Sequence, residues 1–268
     1  MFLKEKLHGV IHFAALKSVA ESVKQPLKYY QNNIGSLDCL IGLMEEYNIK
    51  NLVFSSSCTV YGEPDSLPVI EDHPIKKAES PYGYTKQVCE KMIRDCLKSK
   101  KLTNAVILRY FNPIGAHFSG LIGELPMGTP NFLIPYITET AAGIRDCLTV
   151  FGATYNTPDG TCIRDYIHVM DLADAHVRSL IKMSKKHKSF VLNIGTGKGH
   201  SVLEVIKSFE KVNQLKLNYK IGPKRDGDIE QIYAATDLAE KTLKWKPRYS
   251  MDQAMKDAWR WQKNLSEK

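Results

Sequence analysis

Apolar and polar positions alternate along the chain between two patterns. Val10 to Ala14 (VIHFA), Asn51 to Ser55 (NLVFS) and Ala105 to Tyr110 (AVILRY) are short apolar runs bounded by polar residues. Runs of this length read as buried strands. Between the first two, Pro26 to Tyr47 carries Leu27, Tyr30, Ile34, Leu37 and Ile41 at helical spacing, with proline in the first turn. Pro81 opens a second helix that runs to about Leu97. Strand, helix, strand, helix, strand predicts consecutive βαβ units and a parallel sheet in an α/β fold.

After Tyr110 the pattern loosens. FNPIGAHFSGLIGELPMGTPN is rich in glycine and proline and reads as loop. The spacing then predicts a helix from about Phe132 to Ala142, a strand at Leu148 to Phe151 and an extended stretch at Ile163 to Val169. Asp171 is expected to cap a helix to about Met183. Phe190 to Ile194 reads as a strand, and Ser201 as the cap of a helix to about Val212. Two short helices close the chain, near Leu238 to Leu243 and Met251 to Asn264. No repeat and no low-complexity linker interrupts it, so the two parts are expected to interleave.

Composition narrows the classes. The 268 residues are 43% hydrophobic and 25% charged, which suits a globular protein and excludes a disordered or collagen-like one. No run of about 18 apolar residues spans a membrane, and the start MFLKEKLHGV lacks the apolar core of a signal peptide. The six cysteines, Cys39, Cys58, Cys89, Cys96, Cys147 and Cys162, form no C-x-x-C and no zinc-finger spacing with histidine. Scattered thiols point to a reducing compartment, hence a cytoplasmic protein. The net charge of +8 is dispersed and no nucleic-acid-binding motif accompanies it, so no nucleic-acid partner is expected. Its densest stretch, Lys182, Lys185, Lys186 and Lys188, suits a helix C-terminus. Some of the remaining cations suit an anionic ligand. No histidine pattern suggests a metal site.

Two motifs carry chemistry. Tyr82-Gly-Tyr-Thr-Lys86 places a phenol and an ammonium on one helix face. The ammonium is expected to lower the tyrosine pKa from about 10, making Tyr82 a general base. Tyr84, two residues from Lys86, points elsewhere. Ser55-Ser56-Ser57 ends a predicted parallel strand, where α/β sheets bind ligands. Each motif alone also fits a plain structural role, a packed helix start and a polar strand end.

Together, in this order, they resemble the short-chain dehydrogenase/reductase superfamily. The flanking blocks VIHFAALKSVAESVKQPLKYYQNN, NLVFSSSCTVYG, SPYGYTK, ILRYFNPIGAH and GTCIRDYIHVMDLADAH are similar to the UDP-glucose 4-epimerase family, and the likeness runs from about residue 8 to the last helix. It implies a Rossmann-like doubly wound parallel sheet with its N-terminal strands missing and a smaller C-terminal substrate-binding part. Residues 1–112 would form a partial NAD-binding domain. Residues 113–268 would mainly bind UDP-sugar, with segments such as 163–190 returning to the first.

The resemblance implies interconversion of UDP-galactose and UDP-glucose through transient oxidation at C4, with NAD as cofactor. Tyr82 would take the 4-hydroxyl proton, Lys86 would tune it and hold the nicotinamide ribose, and Ser57 would bond the 4-oxygen. Phe13, Ala14, Ala15, Lys17, Asn32, Ser55 and Tyr110 would contact NAD. Ala15 stands where the family commonly has glycine. The UDP-sugar would meet Ser57, Asn112, Asn131, Leu133, Thr149, Phe151, Arg164, Tyr166, Arg225 and Asp228. The two arginines suit a diphosphate as bidentate donors. Phe132 replaces an asparagine usual after Asn131. Ile232 matches a position that tunes access of N-acetylated sugars, so poor use of UDP-GlcNAc is expected. A homodimer through helices 26–47 and 81–97 is implied as well.

Three further expectations complete the reading. Gly195-Thr-Gly197-Lys-Gly199 imitates a dinucleotide loop, but its third glycine falls one residue early and it is read as a tight turn. A 4,6-dehydratase would carry an Asp-Glu pair after the serine, whereas Cys58 and Thr59 follow Ser57. The family's G-x-x-G-x-x-G turn over NAD is absent from these residues, and supplying it takes roughly 60 residues. The chain is therefore expected to bind NAD weakly and to be a weakly active, truncated form. The rival is a non-catalytic UDP-sugar-binding or dimerising fragment.

Overall fold

The computed structural model describes residues 7–126, 128–186, 189–225 and 228–266. In chain order these form β1 (Val10–His12), α1 (Val19–Lys24), α2 (Pro26–Tyr29), a π-helical segment (Tyr30–Ile34), α3 (Gly35–Glu46), β2 (Asn51–Ser57), a 3₁₀ turn (Cys58–Tyr61), α4 (Pro81–Lys98) and β3 (Asn104–Tyr110). There follow β4 (Asn112–Ile114), α5 (Leu133–Ala141), β5 (Leu148–Phe151), β6 (Ile163–His168), α6 (Val169–Lys186) and β7 (Phe190–Ile194). The last elements are β8 (Gly199–Ser201), α7 (Val202–Asn213), β9 (Tyr219–Gly222), β10 (Gln231–Ile232), α8 (Asp237–Leu243) and α9 (Met251–Ser266).

The chain forms two compact units. One gathers the described residues of Met1–Tyr110 with Asp174–Ile194 and Thr236–Trp245; the other takes Phe111–Ala173, Gly195–Ala235 and the described residues of Lys246–Lys268. The first holds a parallel sheet in the order β1-β2-β3-β7. Its strands β2 and β3 are buried on both faces, which is why they read as unbroken apolar runs. Leu37, Ile41, Met44, Leu52, Phe54, Ile93 and Ile107 pack helices α3 and α4 onto that sheet. The second unit holds β10-β6-β4 with β8 antiparallel to β6, and a separate parallel pair β5-β9. Its core joins Ile137, Val150, Tyr166, Phe209 and Met255.

Three readings need correction. β1 is three residues long rather than five and only its last residue is buried; Phe13 and Ala14 leave the ladder and stand exposed. The helix read over 26–47 is broken by the π-helical turn Tyr30–Ile34. Its cause is Asn33, whose side chain accepts from Leu16 N–H (2.8 Å) and donates to Leu16 C=O (3.0 Å) and Thr85 Oγ1 (3.1 Å). A buried amide satisfied from outside the helix pulls the backbone out of the α ladder. Asp171 lies inside α6 rather than capping it; its carboxylate accepts from Arg248 and Tyr249 N–H at 2.9 and 3.0 Å. The glycine decoy is a tight turn, but an unusual one. Asp165 places its buried carboxylate against Thr196 and Gly197 N–H at 2.7 and 3.0 Å, so the loop's amides already hold an anion of the chain's own. A Cβ at Gly195 would lie 2.4 Å from that carboxylate, which requires glycine there.

Ser80 and Ser201 cap α4 and α7, the latter in a full capping box with Glu204. Of the basic stretch on α6, Lys188 and the Lys186 side chain lie outside the described residues. Among the described residues no helix is long and apolar enough to cross a membrane, and no metal-holding cluster occurs. All six cysteines are free thiols.

The sheet of the first unit is locked to α4 by a buried ion pair. Glu90 receives Arg109 through two parallel bonds of 2.9 and 2.7 Å, together with Ser56 Oγ at 2.7 Å. Arg109 in turn donates to Tyr61 and the Glu71 carbonyl. Both charges are almost wholly removed from water; Glu90 also pairs with Arg94 at 2.9 Å, whereas removing Glu90 strands the Arg109 charge. Glu90→Gln is expected to cost about 3–5 kcal/mol in urea denaturation. The apolar double variant Glu90→Leu/Arg109→Met should recover most of that loss. A cost below about 1 kcal/mol for Glu90→Gln would show that the pair does not hold the helix.

Candidate active site

The C-terminal ends of β1, β2 and β3 assemble the first cluster. Strand pleating sends Ser55 and Ser57 to one face and Ser56 to the other, where Glu90 takes it. Ser80 starts α4 by accepting from Gly83 N–H at 3.1 Å, and Pro81 fills the first helical position. Tyr82 and Lys86 then lie one turn apart on the buried face, while Tyr84 stands exposed. The Ser57 hydroxyl lies close enough to the Tyr82 phenol to favour its charged form. Lys86 Nζ donates to the Ser55 carbonyl at 2.7 Å and lies 5.9 Å from the centre of the Tyr82 ring.

The electrostatics reverse one expectation. Burial pushes the Tyr82 phenol above its ordinary range, Tyr110 and Cys58 add to the rise, and the neighbouring Ser57 hydroxyl opposes it. Lys86 does not rescue the phenolate. Its own charge is penalised by burial, which brings it down to about 8 against the pull of Cys89 and Glu90. The helical spacing brought phenol and ammonium together, as read, but desolvation outweighs their attraction.

A residue that sequence reasoning missed ties this cluster together. His176, on α6, is 1% exposed. Its Nε2 is 3.0 Å from Ser55 Oγ, and its ring centre is 4.6 Å from Phe13 and 5.9 Å from Tyr110. Ser55 of β2, Tyr110 of β3 and Phe13 just after β1 thus meet one imidazole. Its only sequence signal was its place at the end of the block GTCIRDYIHVMDLADAH. Phe13, Ala14, Lys17 and Asn32 are exposed and Ala15 is partly so. Asn32 sits on the π-helical turn and donates to Asn33 Oδ1.

The second unit carries the second cluster. Asp228 links Arg225 Nε at 2.9 Å to Arg164 Nη2 at 3.8 Å. Arg225 lies 4.9 Å over the Phe151 ring. Ile232 pairs in register with Arg164, and Asn112 with Tyr166. Tyr166 is buried, and burial raises its phenol pKa. Thr149 is two residues before Phe151 on β5. Asn131 stands exposed just before α5, and Leu133 opens that helix, packed on the core.

Comparison with known proteins gives this arrangement its kin. Residues 1–195 match the NAD dependent epimerase/dehydratase family. The human UDP-glucose 4-epimerase is 48% identical over 263 residues, 98% of this chain and 76% of that protein. The Drosophila melanogaster UDP-glucose 4-epimerase is 48% identical over 264 residues, 98% of this chain and 75% of that protein. The chain belongs to the UDP-glucose 4-epimerase family. Among solved structures, the Stenotrophomonas maltophila epimerase with bound NAD and formylated UDP-arabinopyranose superposes with a TM-score of 0.94 at 47% identity, covering 97% of this chain and 77% of that one. The Bifidobacterium longum epimerase in complex with NAD+ and UDP gives 0.95 at 45%, covering 99% and 79%. This chain thus spans about three quarters of the length of its epimerase relatives.

The first cluster of this family member fits a nicotinamide nucleotide by its donor set. It offers an ammonium, serine and tyrosine hydroxyls, an exposed flat ring at Phe13 and small residues at Ala14 and Ala15. The buried lysine is also a handle on stability. Its folded pKa of about 8 lies below the ordinary lysine value of 10.5, so between those values the unfolded state binds the extra proton. Stability therefore rises with pH across that window, and the penalty is fully present below it. Lys86→Met is expected to remove this rise, a change of about 1–3 kcal/mol between pH 8 and 10 in urea denaturation. Parallel pH curves for both chains would contradict a desolvated Lys86.

Proposed function

We propose that this chain interconverts UDP-galactose and UDP-glucose by transient NAD-dependent oxidation at C4 of the hexose, within galactose metabolism. The observation that carries this reading is the gathering of buried Ser57, Tyr82 and Lys86 where the end of β2 meets the first turns of α4. NAD, when bound, supplies the hydride acceptor and donor and the positive charge of its oxidised nicotinamide. Tyr82 takes the 4-hydroxyl proton as the C4–H bond gives up its hydride and C4=O forms. The return delivers the hydride to the other face of C4 and the proton back to the oxygen. Ser57, beside Tyr82, holds the 4-oxygen and passes the proton. Lys86 fixes the end of β2 and carries its ammonium 5.9 Å from the centre of the Tyr82 ring.

The first unit would hold NAD, through Phe13, Ala14, Ala15, Lys17, Asn32, Ser55 and Tyr110 beside the catalytic three. The second would hold the UDP-sugar, with Arg164 and Arg225 as guanidinium donors to the diphosphate and Asp228 steering both. The 268 residues carry no G-x-x-G-x-x-G turn, so their hold on NAD is weak. Dimerisation through α2–α3 and α4 and a cytoplasmic location, consistent with six free thiols, belong to the same reading.

A second reading, a UDP-sugar-binding protein without turnover, draws on the raised phenol of Tyr82. One assay separates them. The purified 268-residue chain, incubated with UDP-galactose, should form UDP-glucose only when millimolar NAD is added. Tyr82→Phe should lower that rate at least a hundredfold. No product at saturating NAD, with UDP still bound, would favour the second reading.

Ile232 sets a further expectation. It is 2% exposed and its β-branched bulk stands beside Arg164. The kcat/KM for UDP-GlcNAc should fall about tenfold or more below that for UDP-glucose, and Ile232→Gly should narrow the gap. Comparable values in the wild-type chain would remove Ile232 from any selective role.

A further inference from the structure

Tyr155 lies in the loop between β5 and β6 of the second unit, and its backbone is fixed by bonds to Gly160 C=O at 2.9 Å and from Thr157 N–H at 2.8 Å. Its ring is clamped. A Cβ on Gly152, a residue at φ +78, would come within 2.5 Å of Tyr155 Cε2. Over the ring sits the Lys224 ammonium, 4.1 Å from its centre. The side chain is 8% exposed, and its hydroxyl has no hydrogen-bond partner among the described residues. Buried phenols in native proteins are almost always paired, because an unmade bond there costs stability. An immobilised ring with an orphaned hydroxyl is therefore built for something that arrives.

The surroundings say what arrives. Arg164, Arg225 and Asp228 all act electrostatically on the Tyr155 hydroxyl, and Arg225 and Asp228 are themselves paired at 2.9 Å. Burial raises the phenol pKa above its ordinary value, so the group is a neutral O–H donor near neutral pH. A donor beside Lys224, Arg164 and Arg225 calls for an anionic acceptor with several oxygens. We propose that Tyr155 is a further substrate-binding residue whose hydroxyl donates to the diphosphate of the bound nucleotide sugar. This rests on the UDP-sugar reading of the second cluster.

Tyr155→Phe deletes the hydroxyl and keeps the clamped ring. Titration calorimetry with UDP on the wild-type and variant 268-residue chains reads the loss directly. UDP should bind the variant about tenfold more weakly. The thermal midpoint without UDP should stay level or rise, because the variant sheds an unpaired buried group. Equal UDP affinity, or a lowered midpoint with the affinity loss, would overturn the assignment. A wild-type chain that binds no UDP would overturn both this proposal and the UDP-sugar reading, whereas equal affinities overturn this proposal alone.

Discussion

Everything in the first unit turns on keeping two charges of α4 out of water. Lys86 and Glu90 stand one turn apart on the face that packs against β2, and both are almost fully buried. A buried charge is tolerated only with a partner. Glu90 finds Arg109 from β3 and Ser56 from β2, and Lys86 finds the Ser55 carbonyl. Those bonds fix the rotation of α4 against the strand end. That rotation places Tyr82 against Ser57.

The same burial limits what the site does unaided. Desolvation that orders Tyr82 and Lys86 also discourages their charged forms, raising one pKa and lowering the other. Geometry and reactivity thus come from one cause with opposite effects. On the proposed reading, a site so arranged is positioned for proton transfer and depends on added positive charge to drive it. The cofactor would then act on the base as well as on the hydride.

Much of this was legible in the sequence, for physical reasons. Strands β2 and β3 are buried on both faces, so their apolar runs are continuous; α4 and α7 carry serine caps at their starts. Tyr82 and Lys86 were visible because helical spacing is local. What stayed hidden depends on distant partners. The π-helical turn follows from Asn33 bonding Leu16, seventeen residues away. His176 reaches Ser55 across 121 residues. Tyr155 shows its meaning only as an unpaired atom, which no sequence pattern records. The direction of the Tyr82 pKa was misjudged for a related reason: spacing reveals a neighbouring charge but not the depth of burial.

The most direct test follows the Tyr82 proton by carbon NMR of ζ-labelled tyrosine, with Tyr82→Phe assigning the signal. In the chain alone, Tyr82 should remain protonated past the ordinary tyrosine value of about 10. Added NAD should move its titration to lower pH. Titration at or below 10 without cofactor, or no movement with it, would contradict the view that burial holds the phenol and positive charge releases it.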